Sequence, residues 1–214
     1  MNRQATTRIL AAVGAVLIWA ALVGQFVLLR GVIAGQGGSN VAAIWRFLGF
    51  FTILTNILVA LTLTNAALRP QRRYRLGSPV FEAIVAVSII LVGMVYSAVL
   101  RALWKPTAAQ KWVDAGLHDL APILFLVFWL LRPHGSLRWR QMPWLLIWPL
   151  LYCIYALSRG AADGWYPYPF LDAGKLSSAH LILNIIVLIA AFAAVSAALT
   201  ASDRWLGRAQ RRVS

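Results

Sequence analysis

Six apolar stretches, each of roughly the length that crosses a lipid bilayer as a helix, follow one another along this chain of 214 residues. They are residues 9–29, 44–68, 79–103, 113–131, 142–157 and 178–201. They lack the strict apolar–polar alternation of membrane β-strands, and a backbone in lipid must satisfy its own hydrogen bonds. The sequence therefore predicts an all-α polytopic membrane protein: a bundle of six transmembrane helices in one domain over residues 1–214.

The composition agrees with a membrane protein, because 61% of the residues are hydrophobic and only 12% are charged. Soluble domains carry about 25% charged residues. The first stretch follows Arg3 and Arg8, as the apolar core of a signal peptide would. Signal-peptide cores are usually about 7–15 residues long, however, and this stretch is longer. We therefore expect it to be a spanning helix.

The net charge of +14 is concentrated on one side of the predicted bundle. Thirteen of the 20 basic residues lie at the N-terminus, in the second and fourth loops, or in the C-terminal tail. They are Arg3, Arg8, Arg69, Arg72, Arg73, Arg75, Arg132, Arg138, Arg140, Arg204, Arg208, Arg211 and Arg212. Because basic loops stay on the cytoplasmic side, both termini are predicted to be cytoplasmic. Such loops also bind anionic lipid headgroups, so the charge requires no nucleic-acid partner.

With this orientation, the polar residues of five stretches fall toward the outer ends of their helices. They are Trp45, Arg46, Thr52, Thr55, Asn56, Tyr96, Ser97, Arg101, Asp114, His118, Asp119, Tyr152, Tyr155, Arg159, His180 and Asn184. An ionisable side chain at the centre of a bilayer costs about 2.5–3.5 kcal/mol on insertion scales, and such residues usually have a function. The pattern predicts a polar pocket in the outer half of the bilayer. Glu82 is the exception, and its position in the first turn of the third helix indicates a structural role.

The candidate catalytic residues are Thr52, His118 and Asp114. Asp114 and His118 are four residues apart on a predicted helix, so the carboxylate could orient the imidazole. A hydroxyl, a histidine and an orienting carboxylate together make an activated nucleophile. The alternative is that Thr52 and Asn56 only hydrogen-bond between helices, and that His118 is an interfacial histidine bonded to a loop carbonyl.

The candidate substrate-binding residues surround the same predicted pocket. They are Arg46, Thr55, Asn56, Tyr96, Arg101, Tyr152, Tyr155, Arg159 and Trp165. The arginines could hold a substrate carboxylate through forked hydrogen bonds, or extend to the headgroups instead. Asn56 or Tyr96 could donate to a developing oxyanion. Trp165 begins an aromatic run in the loop 161–177, which is either an interfacial belt or a lid.

Two other residues carry less specific signals. The single cysteine, Cys153, lies in the fifth stretch, where a buried thiol is usually a small apolar filler. His134 lies in a basic loop and is expected to be solvated. Neither residue suggests a metal or cofactor, and we predict none.

Three patches occur in order along the chain: Trp45–Arg46–Phe47–Leu48, then Trp112-x-x-x-Gly116-x-His118, then Gly164–Trp165–Tyr166–Pro167–Tyr168–Pro169–Phe170–Leu171–Asp172. In these patches and in its six-helix topology, the chain resembles the androgen-induced protein family and its bacterial relatives. The resemblance implies a membrane enzyme that hydrolyses fatty acid esters of hydroxy fatty acids, in a bacterial plasma membrane.

The resemblance also implies a threonine nucleophile on the second helix and a histidine on the fourth. The histidine corresponds to His118. Counting from the Trp45 patch, the threonine position is occupied by Gly49. Thr52, one turn deeper on the same face of the helix as Gly49, is the nearest replacement, with Thr55 behind it. One turn moves an oxygen by about 5 Å, so hydrolysis by Thr52 would require a rebuilt pocket.

The leading hypothesis is a membrane-embedded lipid ester hydrolase with a Thr52–His118 site. The alternative is a non-catalytic membrane protein that binds or transports a lipid or a small organic acid through the same pocket, and Gly49 favours this alternative. A further possibility is haem ligation by His118 and His180. In each case the expected partners are membrane lipids and a lipid-like or small acidic ligand.

Overall fold

The structure, a computed structural model, describes residues 3–69, 75–103 and 106–213. These residues form helices and connecting turns, without a strand. Six helical segments among them are long and apolar enough to cross a membrane: Arg3–Gly35, Phe51–Leu68, Pro79–Leu100, Ala108–Leu130, Trp139–Asp163 and Ser178–Gln210. The predicted fold class, an all-α multi-pass membrane protein, is therefore confirmed. The cytoplasmic position of both termini stays a prediction.

Some of the arginines that predict the orientation of the chain lie outside the described residues. They are Arg72 and Arg73, and the side chains of Arg75, Arg211 and Arg212 are not described either. The chain divides into two compact units, Met1–Pro133 and His134–Ser214. The single domain over residues 1–214 stays a prediction.

The first unit is built around the long helix α1. Its helices are α1 (Arg3–Gly35), α2 (Asn40–Phe47), α3 (Phe51–Leu68), α4 (Pro79–Val95), α5 (Ala108–Ala115) and α6 (Ala121–Leu130). Helix α1 packs against α3, α5 and α6, while α4 packs against α3 and α6. Ile18, Leu63, Ile89, Phe125 and Phe128 are almost entirely buried in this core.

The second predicted stretch is not one continuous helix. Helix α2 ends at Phe47, Phe50 has an extended backbone (φ −87°, ψ 131°), and α3 begins at Phe51 without a side-chain cap. Gly49 is buried in this interruption, where its N–H donates to the carbonyl of Arg46 at 3.0 Å. The expectation that Gly49 and Thr52 share a face of one helix is therefore wrong. The interruption places Thr52 in the first turn of α3.

Two helices widen into π-helical turns beside each other. The first π turn, Tyr96–Leu100, continues α4, and the second π turn, Gly116–Leu120, joins α5 to α6. In the first, the N–H of Arg101 donates to the carbonyl of Tyr96, five residues earlier, at 2.8 Å. The second packs against α1, α3 and α4. Isolated π turns are rare and often occur at functional sites.

The predicted structural role of Glu82 agrees with its contacts. Ser78 caps α4 by accepting a hydrogen bond from the N–H of Phe81, and Pro79 follows as the first helical residue. Glu82 lies in this first turn and is 2% exposed. Its carboxylate accepts two hydrogen bonds from the Arg132 guanidinium, at 3.0 and 2.7 Å. This ion pair connects α4 with the segment after α6.

The second unit contains the helices α7 (Met142–Leu145), α8 (Ile147–Asp163) and α9 (Ser178–Val213). The fifth predicted stretch, 142–157, was too short, because α8 continues to Asp163. Gly164 then ends the helix with a left-handed backbone (φ 73°), and its N–H donates to the carbonyl of Gly160. Glycine adopts this conformation without the steric cost that a Cβ imposes.

His134 is buried, so the expectation that it is solvated is wrong. Its side chain is 1% exposed, and its Nδ1 lies 3.2 Å from Oδ1 of Asp203 on α9. The other carboxylate oxygen of Asp203 accepts a hydrogen bond from the N–H of Leu137 at 2.8 Å. Together these contacts hold the start of the second unit against α9.

Gly207→Ala is expected to destabilise the second unit. A Cβ at Gly207 would lie 2.6 Å from the backbone nitrogen of Gly135, and neither backbone can move away cheaply. Such overpacking typically costs about 1–3 kcal/mol. The matched control is Gly31→Ala in α1, where a Cβ meets nothing within 4 Å. Thermal unfolding in detergent should show a lower midpoint for Gly207→Ala alone; equal midpoints for both variants would contradict the close approach.

Candidate active site

The structure brings Thr52 and His118 into contact within the first unit. The Oγ1 of Thr52 lies 3.4 Å from Nε2 of His118. The Thr52 side chain comes from the first turn of α3 and the imidazole from the second π turn. The contact is long for a hydrogen bond, as catalytic contacts often are before substrate binds. The two residues are largely buried, with Thr52 7% exposed and the His118 side chain 12% exposed.

The surroundings of the other imidazole nitrogen define the tautomer of His118. Nδ1 lies 3.1 Å from the backbone carbonyl oxygen of Asp114 and 3.5 Å from its carboxylate Oδ1. Both of these groups are acceptors, so the neutral ring carries its proton on Nδ1. The lone pair of Nε2 then faces the Thr52 hydroxyl. Asp114 orients the imidazole as predicted, but its main-chain oxygen is closer than its side chain.

Tyr96 completes the support of His118. Its hydroxyl donates a hydrogen bond to Oδ2 of Asp114. Its ring also stacks on the imidazole, with centroids 3.9 Å apart and planes 17° from parallel. Tyr96 was predicted to bind substrate or to donate to an oxyanion. The structure instead directs its hydroxyl proton to Asp114.

Asn56 ties α3 to the second π turn. Its Nδ2 donates to the carbonyl of Thr52 at 2.8 Å and to the carbonyl of Leu117 at 3.2 Å. Both amide hydrogens are therefore used, and Asn56 is 0% exposed. Asn56 therefore links α3 to the second π turn. It has no amide hydrogen left for the predicted donation to an oxyanion. Thr55, also predicted as a pocket residue, is fully buried in α3.

Arg101 already pairs with a carboxylate of the same unit. Its guanidinium forms an ion pair with Asp119, and the two side chains are 50% and 41% exposed. The same guanidinium lies over the Tyr96 ring, 5.0 Å from its centroid. A substrate carboxylate would have to compete with Asp119 for Arg101. Arg46, in the last turn of α2, is half-buried.

The remaining predicted pocket residues form a cluster in the second unit. Arg159 is 6% exposed, and its Nη1 donates to the Tyr155 hydroxyl at 2.8 Å. Tyr152 packs edge-on against Tyr168 of the aromatic run. The N–H of Trp165 donates to Asp163. The role of these residues as part of the Thr52 pocket stays a prediction.

Two residues of the last predicted helix have local partners in the second unit. His180 is exposed, and its Nδ1 lies 2.8 Å from the Ser177 hydroxyl. Asn184 donates to the carbonyl of Phe170 at 3.0 Å. Haem ligation involving His180 stays a hypothesis.

Within the first unit, Thr52, His118, Asp114 and Tyr96 form one continuous series of contacts. A hydroxyl that faces an imidazole lone pair, on a ring held by acceptors at its other nitrogen, is an arrangement that activates a nucleophile. Comparisons of the chain with protein-family models, with curated proteins and with solved structures found no match.

Proposed function

We propose that this protein is a membrane-embedded lipid ester hydrolase with Thr52 as nucleophile and His118 as general base. The single observation that carries the proposal is the 3.4 Å contact between the Thr52 hydroxyl oxygen and Nε2 of His118. The Trp45, Trp112 and Gly164 patches also support it through their resemblance to the androgen-induced protein family. The site would lie in the outer half of a bacterial plasma membrane.

The reaction would proceed in two halves. The Thr52 oxygen attacks the ester carbonyl carbon while Nε2 of His118 takes the hydroxyl proton. The ester C–O bond then breaks, and the imidazolium returns that proton to the leaving alkoxide, which departs as the alcohol. Water next attacks the acyl-threonine, with Nε2 again accepting a proton. When the bond to the Thr52 oxygen breaks, that proton goes to Thr52 and the fatty acid is released.

The interruption before α3 supplies an oxyanion donor that the sequence did not suggest. At the start of α3, the N–H of Leu54 donates to the carbonyl of Phe50, at 3.2 Å. Amides earlier in a helix have no acceptor four residues before them inside the helix. The amide of Ile53, the residue after the nucleophile, belongs to this first turn. It would donate to the oxyanion with the favourable dipole of the helix N-terminus.

The surface of the first unit fits a substrate that arrives through the bilayer. Val16, Trp112 and Ile123 expose most of their side chains, which a membrane would cover with acyl chains. A lipid ester would therefore reach the site without leaving the apolar phase. The half-exposed Arg101–Asp119 pair would offer polar contacts to its head.

A covalent probe tests the nucleophile directly. A fluorophosphonate should label the wild-type protein in membranes and should not label Thr52→Ala. Thr52→Ser should restore labelling, because it returns the hydroxyl. Thr62→Ala, a change at another buried threonine of the same helix, is the matched control and should remain labelled. Equal labelling of Thr52→Ala and wild type would overturn the proposal.

A second candidate function is binding or transport of a lipid or small organic acid without catalysis. The observation that favours it is the interruption between Phe47 and Phe51. Transporters use such broken helices to present backbone groups to small solutes within the membrane. A wild-type protein that resists the fluorophosphonate but gains thermal stability with a fatty acid would support this function over hydrolysis.

A further inference from the structure

Tyr96 makes three contacts that converge on the imidazole of His118. Its hydroxyl donates to the Asp114 carboxylate, its ring stacks on His118, and the Arg101 guanidinium lies over that ring. The residue is 7% exposed. Since the Thr52 hydroxyl occupies the Nε2 side of the imidazole, Tyr96 supports the ring from its face and from the Nδ1 side.

The local backbone explains why this support is needed. His118 lies within the second π turn, and Tyr96 begins the first π turn. A π turn is wider than an α-helical turn, so its side chains are held less closely by their own helix. The end of α4, just before the first π turn, packs closely against the second π turn. A Cβ on Gly93 of α4 would lie 3.1 Å from the carbonyl oxygen of His118. This packing brings the phenol ring onto the imidazole.

The two parts of Tyr96 constrain different features of the site. Stacking restricts the plane of the imidazole, so that Nε2 stays directed at Thr52. The hydroxyl fixes the Asp114 side chain, whose Oδ1 lies 3.5 Å from Nδ1. An imidazole with acceptors on its Nδ1 side keeps the proton there. Without the Tyr96 hydroxyl, the Asp114 carboxylate would no longer be fixed beside Nδ1, while the Asp114 carbonyl would remain 3.1 Å from it. A larger share of the rings would then carry the proton on Nε2, where the nitrogen cannot act as a base.

We propose that Tyr96 is a positioning residue that holds His118 as the Nδ1–H tautomer with Nε2 facing Thr52. Tyr96 acts through the imidazole and does not touch the substrate. Its effect on turnover rests on the proposed hydrolase function. Its effect on the tautomer does not, so the two parts can be tested separately.

Nitrogen NMR of the full chain tests the tautomer. The protein has three histidines, and ¹⁵N-histidine labelling in micelles at mildly alkaline pH would be assigned with His118→Gln. In the wild type, Nδ1 of His118 should show a protonated shift and Nε2 an unprotonated one. Tyr96→Phe keeps the ring and removes the hydroxyl, so it should raise the fraction of His118 rings that are protonated on Nε2.

Ser88→Ala is the matched control, because it also removes a buried hydroxyl, from α4, the helix that leads into Tyr96. It should leave the His118 spectrum unchanged. A Tyr96→Phe spectrum identical to the wild type, or a wild-type ring protonated on Nε2, would overturn the proposal. Tyr96→Leu removes the stacked ring as well, and should broaden or shift the His118 signals further than Tyr96→Phe does.

Turnover provides the second measurement. Tyr96→Phe should lower kcat by about tenfold with KM nearly unchanged, a part of the ~100- to 10,000-fold that a general base supplies. Loss of folded protein would reduce the active fraction, which probe titration measures, and would not change kcat per labelled site. If Thr52→Ala and wild type behave alike, the hydrolase proposal fails while the NMR result for Tyr96 still stands. If Thr52→Ala is inactive and Tyr96→Phe has wild-type kcat, only the positioning role fails.

Discussion

His118→Gln is expected to lower the turnover of a fatty acyl ester by about 100- to 10,000-fold, the usual contribution of a general base. Glutamine preserves hydrogen-bonding capacity at this position but cannot accept a proton from Thr52. The Thr52 hydroxyl would then have to lose its proton to water within a largely buried site. Release of a fluorescent alcohol from an acyl ester in detergent micelles measures this directly.

The matched control is His180→Gln, a change at an exposed histidine that lies beside Ser177. Its turnover should equal that of the wild type. The loss in His118→Gln should appear in kcat, because the imidazole acts on the hydroxyl and not on the bound ester. Wild-type kcat in His118→Gln would exclude His118 as the base and would favour the binding function instead.

The largest effect on stability is expected from separating Glu82 and Arg132. Their side chains are 3% and 12% exposed, and the guanidinium lies 5.5 Å from the centroid of the Phe128 ring. Removing one partner of a buried pair leaves the other charge uncompensated, which typically costs about 3–5 kcal/mol. Glu82→Met and Arg132→Met should each lower the free energy of unfolding by that amount.

The double variant Glu82→Met/Arg132→Met separates charge from packing. Replacing a buried ion pair with apolar residues of similar volume is often neutral or stabilising. The double variant should therefore recover most of the stability that each single variant loses. Denaturant titration in bicelles would measure all three variants. Additive losses in the double variant would show that the side chains contribute separately and not as a pair.

The general architecture was predictable from local sequence alone. A stretch of apolar residues long enough to cross a bilayer has few structural options, because its backbone groups must bond to each other. The sequence also placed Thr52 and His118 toward the same ends of their helices, since the polar residues of neighbouring stretches were expected at a similar depth. That argument used only position along each helix and did not decide whether the two side chains touch; in the structure they lie 3.4 Å apart.

The helix interruption, the π turns and the hydrogen-bond partners of the site could not be predicted from the position of residues along each stretch. Gly49 alone hinted at the interruption before α3, and a single glycine is tolerated within many helices. No local sequence pattern predicted the two π turns. A π turn holds one residue more than an α-helical turn, and the spacing of apolar residues is too coarse to show that difference. The sequence suggested that Asn56 or Tyr96 could donate to an oxyanion. In the structure, Asn56 donates to two backbone carbonyls and Tyr96 donates to Asp114.

His134 illustrates the same limit in the second unit. Its neighbours in the sequence are basic and polar, which predicted a solvated side chain. Its Nδ1 contacts Asp203, 69 positions later in the chain. The sequence by itself determined which segments can be surrounded by lipid, because the length of an apolar stretch is counted within that stretch alone. Tertiary structure decided which donor meets which acceptor, because those contacts form between segments distant in the chain and depend on how their helices pack.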